Sequence, residues 1–129
     1  MTDLTGRVAL VTGGNGGIGL GMAEALARAG ADVVIWGRNE DKNAAASAQL
    51  AKSGQRVAAF TCDVSDESQV DDTFARSLDA MGRVDCFFAN AGTSHAGKIV
   101  AKTSLDSWRR VMSVNLDSVF LCLRAASKH

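Results

Sequence analysis

Five glycines fall within nine residues at positions 11–19, VTGGNGGIG. Glycine carries no Cβ, so a backbone built from it can approach a bulky anion closely and can adopt conformations closed to other residues. Two spacings can be read in the stretch. Gly14, Gly16 and Gly19 match G-x-G-x-x-G, and Gly13, Gly17 and Gly19 match a wider G-x-x-x-G-x-G. Between a strand and a helix, such a turn points unpaired N–H groups and the positive end of the helix dipole at a phosphate. The context fits. A short apolar run at 7–12 (RVALVT) precedes the turn and an amphipathic segment follows it. A second apolar run, 32–37 (DVVIWG), lies about 20 residues further on. The stretch is therefore read as a dinucleotide-binding turn, with Gly13, Asn15, Gly16, Gly17, Ile18 and Gly19 as its candidate contacts.

The residues closing the second run bear on which dinucleotide is bound. Gly37 is followed by Arg38. A carboxylate there would pair with a free ribose 2′-hydroxyl, whereas a guanidinium grips a 2′-phosphate through charge-assisted, bidentate contacts. NADP(H) is thus favoured, with NAD(H) as the alternative. Two further stretches follow apolar runs, at the strand ends where ligands bind in sheets of this kind. In CDV, at 62–64, Asp63 can accept a hydrogen bond from an adenine amino group, helix capping being its structural alternative. In ANAG, at 89–92, small residues let the backbone pass close to a cofactor. Trp36 reads as packing beside that pocket. His95, in the loop after the fourth run, reads as a substrate contact or a plain loop histidine.

These residues need a scaffold, and the chain supplies one by alternation. Strands are predicted at 7–12, 32–37, 56–64 and 84–90 from their short, nearly continuous apolar character, which suits burial on both faces of a parallel sheet. A helical stripe of Ile18, Met22 and Leu26, with Ala23 and Ala27 beside it, follows the first strand. An alanine-rich helix follows the second, and one with a stripe of Val70, Phe74, Leu78 and Met81, capped by Ser65, follows the third. Gly30, Gly54 and Gly82 stop these three. After a loop at 91–102, a long helix capped by Thr103 is predicted to run to the end through Leu105, Trp108, Met112, Leu116, Phe120 and Leu123. Trp108 and Phe120 read as core or subunit interface. Strand–helix alternation implies βαβ crossovers and an α/β fold with one parallel sheet.

Composition narrows the class. The chain has 129 residues, fitting one domain, and its 14 basic residues balance 14 acidic ones. No basic stripe points to nucleic acid. The longest strictly apolar run, VFLCL, is far short of the roughly 20 residues that span a bilayer. No signal peptide is read at the N-terminus. Cys62, Cys86 and Cys122 form no C-x-x-C and suggest neither disulfides nor a metal site; reduced thiols in a cytoplasmic protein are expected.

The segments TGGNGGIG (12–19), DV (63–64), NAG (90–92) and VN (114–115) resemble, in order, the successive motifs of the short-chain dehydrogenase/reductase family. The resemblance covers the whole chain. It implies a Rossmann-type doubly wound parallel sheet whose first four strands run in the order 3-2-1-4, with flanking helices, and a nicotinamide-dependent interconversion of a small-molecule carbonyl and alcohol. The family's glycine motif falls on Gly13, Gly17 and Gly19. By the same resemblance Asp63 and Val64 lie at the adenine. Asn90, Ala91 and Gly92 stabilise the sheet beside the cofactor. Asn115 is the catalytic-site asparagine that interrupts a helix and holds a water for proton relay. Asparagine inside an apolar helical pattern is locally unfavourable, which agrees with a special role. A homo-oligomer, tetramer or dimer, is also implied.

The family's Tyr-x-x-x-Lys pair and upstream serine have no match, because the chain contains no tyrosine. The expectation is the N-terminal, cofactor-binding part of a longer single-domain enzyme, inactive by itself. The rival reading is a non-catalytic dinucleotide-binding module or an inactive family member.

Overall fold

A computed structural model describes residues 2–95 and 99–129; the stretch 96–98 of the expected loop lies outside the described residues. Four parallel strands, β1 (Val8–Thr12), β2 (Asp32–Gly37), β3 (Val57–Thr61) and β4 (Cys86–Phe88), form one sheet in the order β3-β2-β1-β4. This is the expected order. Helices α1 (Gly17–Arg28), α2 (Glu40–Leu50) and α3 (Glu67–Met81) make the crossovers, and α4 (Leu105–Met112) and α5 (Ser118–Ala126) follow β4.

Strand alternation divides the core into two layers. Val8, Leu10, Val34 and Trp36 face α3 and α5, where they meet Val70, Phe74, Cys122 and Ala125. Val11, Val33 and Ile35 face α1 and α2, where they meet Ala23, Ala27, Ala46 and Leu50. Both faces of the two central strands are therefore covered, which is why their sequences read as unbroken apolar runs. Trp36 is fully buried, its indole edge-on to Phe74 and Phe87, and its Nε1 donates to Ser77 Oγ at 3.0 Å.

Several elements differ from the expectation, each for a local reason. β3 stops at Thr61, opposite the last residue of β2, Gly37; Cys62 N still donates to the Gly37 carbonyl at 3.2 Å, and Asp63 and Val64 leave the ladder. β4 pairs only through Cys86, Phe87 and Phe88, opposite Ala9, Leu10 and Val11. The caps shift by one residue. Asp66, not Ser65, accepts from Gln69 N, and Ser104, not Thr103, accepts from Ser107 N. Helix α1 buries Gly19, Ala23 and Ala27 rather than Ile18, which is 80% exposed. Small residues let α1 lie close to the sheet. The long terminal helix is broken by a π-helical turn at Ser113–Asp117. Beyond it α5 lays Ser118, Cys122 and Ala125 on the core, so Phe120 stays 61% exposed instead of entering it; Trp108, on α4, is 57% exposed.

One carboxylate fastens the amino end of the sheet. Asp85 accepts from Val8 N at 2.8 Å and pairs with Arg7 at 3.1 Å and with Arg83. The Val8 amide, then the two guanidinium groups, hold its carboxyl below the ordinary value of 3.8. A carboxyl lowered by folding stabilises above its unfolded-state pKa, and that contribution is lost as pH falls through the lower folded value. Asp85→Asn is expected to lower stability at neutral pH and to flatten the loss of stability below about pH 4. Urea midpoints of the full-length protein across pH check this; a variant with an unaltered acid limb contradicts it.

Candidate functional site

The sheet order reverses between β1 and β4, and at such a switch point the strand ends leave a crevice. Here it measures about 170 Å³ and is lined by Gly13, Asn15, Trp36, Gly37, Arg38, Cys62, Asp63, Val64, Ala91, Gly92 and Val114. These residues come from the carboxyl ends of all four strands and from the turn before α5.

The glycine turn forms one side. Gly13 and Gly17 have φ of +66° and +53°, a left-handed backbone that disfavours any side chain. Gly19 sits so close to the strand end that a Cβ there would lie 2.2 Å from the Gly13 carbonyl oxygen. Gly14 is excluded from bearing a side chain by Ile35, at 2.6 Å. By contrast, a Cβ on Gly16 or Gly17 would meet nothing within 4 Å. Helix α1 begins here without a side-chain cap and without an acidic residue in its first turn, although α2, α3 and α4 are capped by Asn39, Asp66 and Ser104. An uncapped helix start, open above and bare of Cβ atoms, has the form an anion requires. Gly16, Gly17 and Ile18 form this exposed rim and do not line the crevice itself.

Arg38 stands exposed past the end of β2. Across from it, Asp63 Oδ1 accepts from Ser65 Oγ at 2.6 Å and from Ser65 N at 3.0 Å. The Ser65 hydroxyl, aided by the Ser65 amide and the Arg38 charge, holds the Asp63 carboxyl below the usual range against the opposing effect of burial. Asp63 does not cap α3; Asp66 does. Cys62 also faces the crevice, but burial pushes its thiol up, and pushes that of Cys122 up to about 12, so neither is a thiolate at neutral pH.

The β4 side is stitched to β1. Asn90 Nδ2 donates to the Thr12 carbonyl at 3.1 Å, and Ala91 N donates to Thr12 Oγ1 at 2.9 Å. Asn115 lies in the π-helical turn, outside the crevice lining but next to it. Its Oδ1 accepts from Thr93 N at 2.7 Å and its Nδ2 donates to the Thr93 carbonyl at 2.8 Å, while Gly92 leaves only 3.4 Å between its own missing Cβ and Asn115 Oδ1. A π turn leaves backbone groups outside the regular helical ladder. His95 does not join this group; it borders a separate apolar groove with Val100, Leu105 and Trp108.

Cys62 and Val114 lie within the CDV and VN motifs and line the crevice although neither carries a site role from the sequence alone, and no motif marks Asn43, which stands behind the crevice wall. Asn43 had one signal: it shares the i, i+3, i+7 face of Ala46 and Leu50, so a polar residue stood in a buried register.

The family model for short chain dehydrogenase matches residues 7–129. The chain belongs to the short-chain dehydrogenase family. It is 38% identical over 124 residues to a 2,5-dichloro-2,5-cyclohexadiene-1,4-diol dehydrogenase of Sphingobium indicum, covering 96% of this chain and 48% of that one. The structure of an NADPH-dependent 3-quinuclidinone reductase from Rhodotorula rubra superposes with a TM-score of 0.88 at 37% identity, over 98% of this chain and 48% of that one. An NAD+-bound xylitol dehydrogenase superposes with a TM-score of 0.93 at 32% identity, over 97% and 48%. The short-chain dehydrogenase chain thus spans about half the length of these relatives. Among its described residues, no helix is long and apolar enough to cross a membrane.

The two sets of glycines predict different responses. Gly19→Ala is expected to destabilise the fold by about 1–3 kcal/mol, because the obstacle is backbone and cannot swing aside. Gly16→Ala, in an extended backbone with open space above it, is expected to stay within about 0.5 kcal/mol. Chemical denaturation of the two full-length variants separates these outcomes; equal losses contradict the assignment.

Proposed function

We propose that this chain is the dinucleotide-binding part of a single-domain, NADP(H)-dependent oxidoreductase that interconverts a carbonyl and an alcohol on a small molecule. The observation that carries the reading is the uncapped start of α1, which opens through side-chain-free glycines onto a crevice whose far wall bears Arg38 and Asp63. When bound, the nicotinamide nucleotide supplies or accepts the hydride. The protein's part is to bind and orient.

In this reading the amides around Asn15, Gly16, Gly17, Ile18 and Gly19 hold the pyrophosphate, and Gly13, whose own amide donates to the Trp36 carbonyl at 2.8 Å, shapes the turn beside it. The Arg38 guanidinium holds the 2′-phosphate, and Asp63 with Val64 borders the adenine. Asn90, Ala91 and Gly92 let the backbone run beside the cofactor. Asn115, tied to Thr93, fixes the π turn near the reacting end, where a freed carbonyl can hold a water for proton relay. The 129 residues contain no tyrosine, so none of them is a Tyr-x-x-x-Lys acid–base pair. The exposed apolar residues Trp108, Leu116, Phe120 and Leu123 support assembly as a homo-oligomer, dimer or tetramer, and the free cysteines support a cytoplasmic setting.

Titration calorimetry on the full-length protein is expected to show NADPH binding more tightly than NADH. Arg38→Ala is expected to weaken NADPH by roughly 10- to 100-fold, the scale of one hydrogen bond to a charged group, and to leave NADH nearly unaffected. Absence of heat with either nucleotide overturns the proposal; equal loss for both overturns the role of Arg38.

A further inference from the structure

Among the buried polar side chains of the described residues, Asn43 is the only amide, and it is 3% exposed. It stands near the start of α2, behind the crevice wall and not in its lining. Its Nδ2 donates to the Gly37 carbonyl at 2.9 Å and to the Phe60 carbonyl at 3.2 Å. Both partners only accept, so the amide nitrogen must face them and the amide oxygen must face away. That oxygen accepts from Asn15 Nδ2 at 2.8 Å, and the orientation of the second amide follows from the first. One buried side chain thereby joins the glycine turn, the end of β2 and the end of β3. The fit is tight: a Cβ on Gly37 would lie 2.2 Å from Asn15 Nδ2 and 2.5 Å from Asn43 Oδ1.

We infer that Asn43 is a positioning residue for nucleotide selection: bonded to Gly37, Phe60 and Asn15, it holds the corner from which Arg38 projects. The inference rests on the nucleotide reading above and deepens it. Gly37 passes directly into Arg38, and the peptide between them is planar, so fixing the Gly37 carbonyl fixes the direction in which the Arg38 backbone leaves the sheet. A bidentate guanidinium contact with a phosphate depends strongly on that direction. An unphosphorylated ribose makes no such demand. Losing Asn43 therefore affects the two nucleotides unequally, which a purely structural residue would not do.

The test uses the full-length protein with Asn43→Leu and Asn43→Ser, titrated with NADPH and with NADH, alongside thermal melting. In both variants the Kd for NADPH is expected to rise about tenfold more than that for NADH, the scale of one or two lost hydrogen bonds acting through Arg38, while the release of Asn15 in the glycine turn adds a smaller loss common to both nucleotides. In an Arg38→Ala background, Asn43→Ser is expected to shift the two Kd values by the same small factor, because the group it positions is gone. With Arg38 present, equal weakening of both nucleotides, an unchanged preference, or failure of both variants to fold overturns the inference and leaves Asn43 a residue of the fold alone. Failure of the nucleotide reading itself shows separately, as an unaltered protein that binds neither nucleotide.

Discussion

Helix α1 and strand β1 meet with no space for a single methyl group between Gly19 and the carbonyl oxygen of Gly13. Much else depends on that approach. It brings the first turn of the helix directly over the strand end, so the unpaired amides open onto the crevice instead of onto a side chain. It also lets Ala23 and Ala27, one and two helical turns further on, pack flush against Val11, Val33 and Ile35. A larger residue at Gly19 would lever the helix away along its length. A Cβ at Gly19 would also lie 2.6 Å from Asn90 Nδ2, the group that bonds the end of β1 to the segment after β4. Packing and polar stitching thus share one point.

Around that point a few backbone bonds carry on past the strands, from Gly13 and Gly14 to the Trp36 carbonyl and from Cys62 to the Gly37 carbonyl, and side-chain hydrogen bonds hold the rest. Thr12 and Asn90 join β1 to the segment after β4, Asn43 joins β2, β3 and the glycine turn, and Asn115 joins Thr93 to the π turn. Asparagine suits this task because one short side chain both donates and accepts. The crevice is built on local amide brackets that hold backbone in shapes no regular element would take.

The alternation of strand and helix was legible because each buried run of branched residues is followed by a patterned segment and, for the first three, a stopping glycine. The parallel sheet, its order and the crevice at its reversal follow from that pattern and from the motif resemblance. Element ends were less legible, because they depend on partners. Cys62 and Asp63 look like strand until β2 is seen to end at Gly37. Caps slipped by one residue because Ser65 and Asp66, like Thr103 and Ser104, are both competent acceptors; only Asp66 and Ser104 reach the amide three residues on, while Ser65 is engaged by Asp63. The stripe of Leu116, Phe120 and Leu123 reads as buried by hydrophobicity, yet the sheet takes the small residues Ser118, Cys122 and Ala125 in its place. Asn43 was hidden in an alanine-rich helix whose pattern is weak, and its three partners lie 6, 17 and 28 residues away.

The π turn at Ser113–Asp117 has a geometric consequence for everything downstream. Adding one residue to a helical turn rotates the following helix by roughly 100° about its axis. With that twist, Cys122 and Ala125 point inward. Were the loop of backbone tightened back to an ordinary α turn, those two residues would revolve off the sheet and bulkier neighbours would swing toward it. The irregularity beside Asn115 therefore acts as a phase setter: the angular alignment of the terminal helix and the shape of the backbone at the crevice cannot be altered independently.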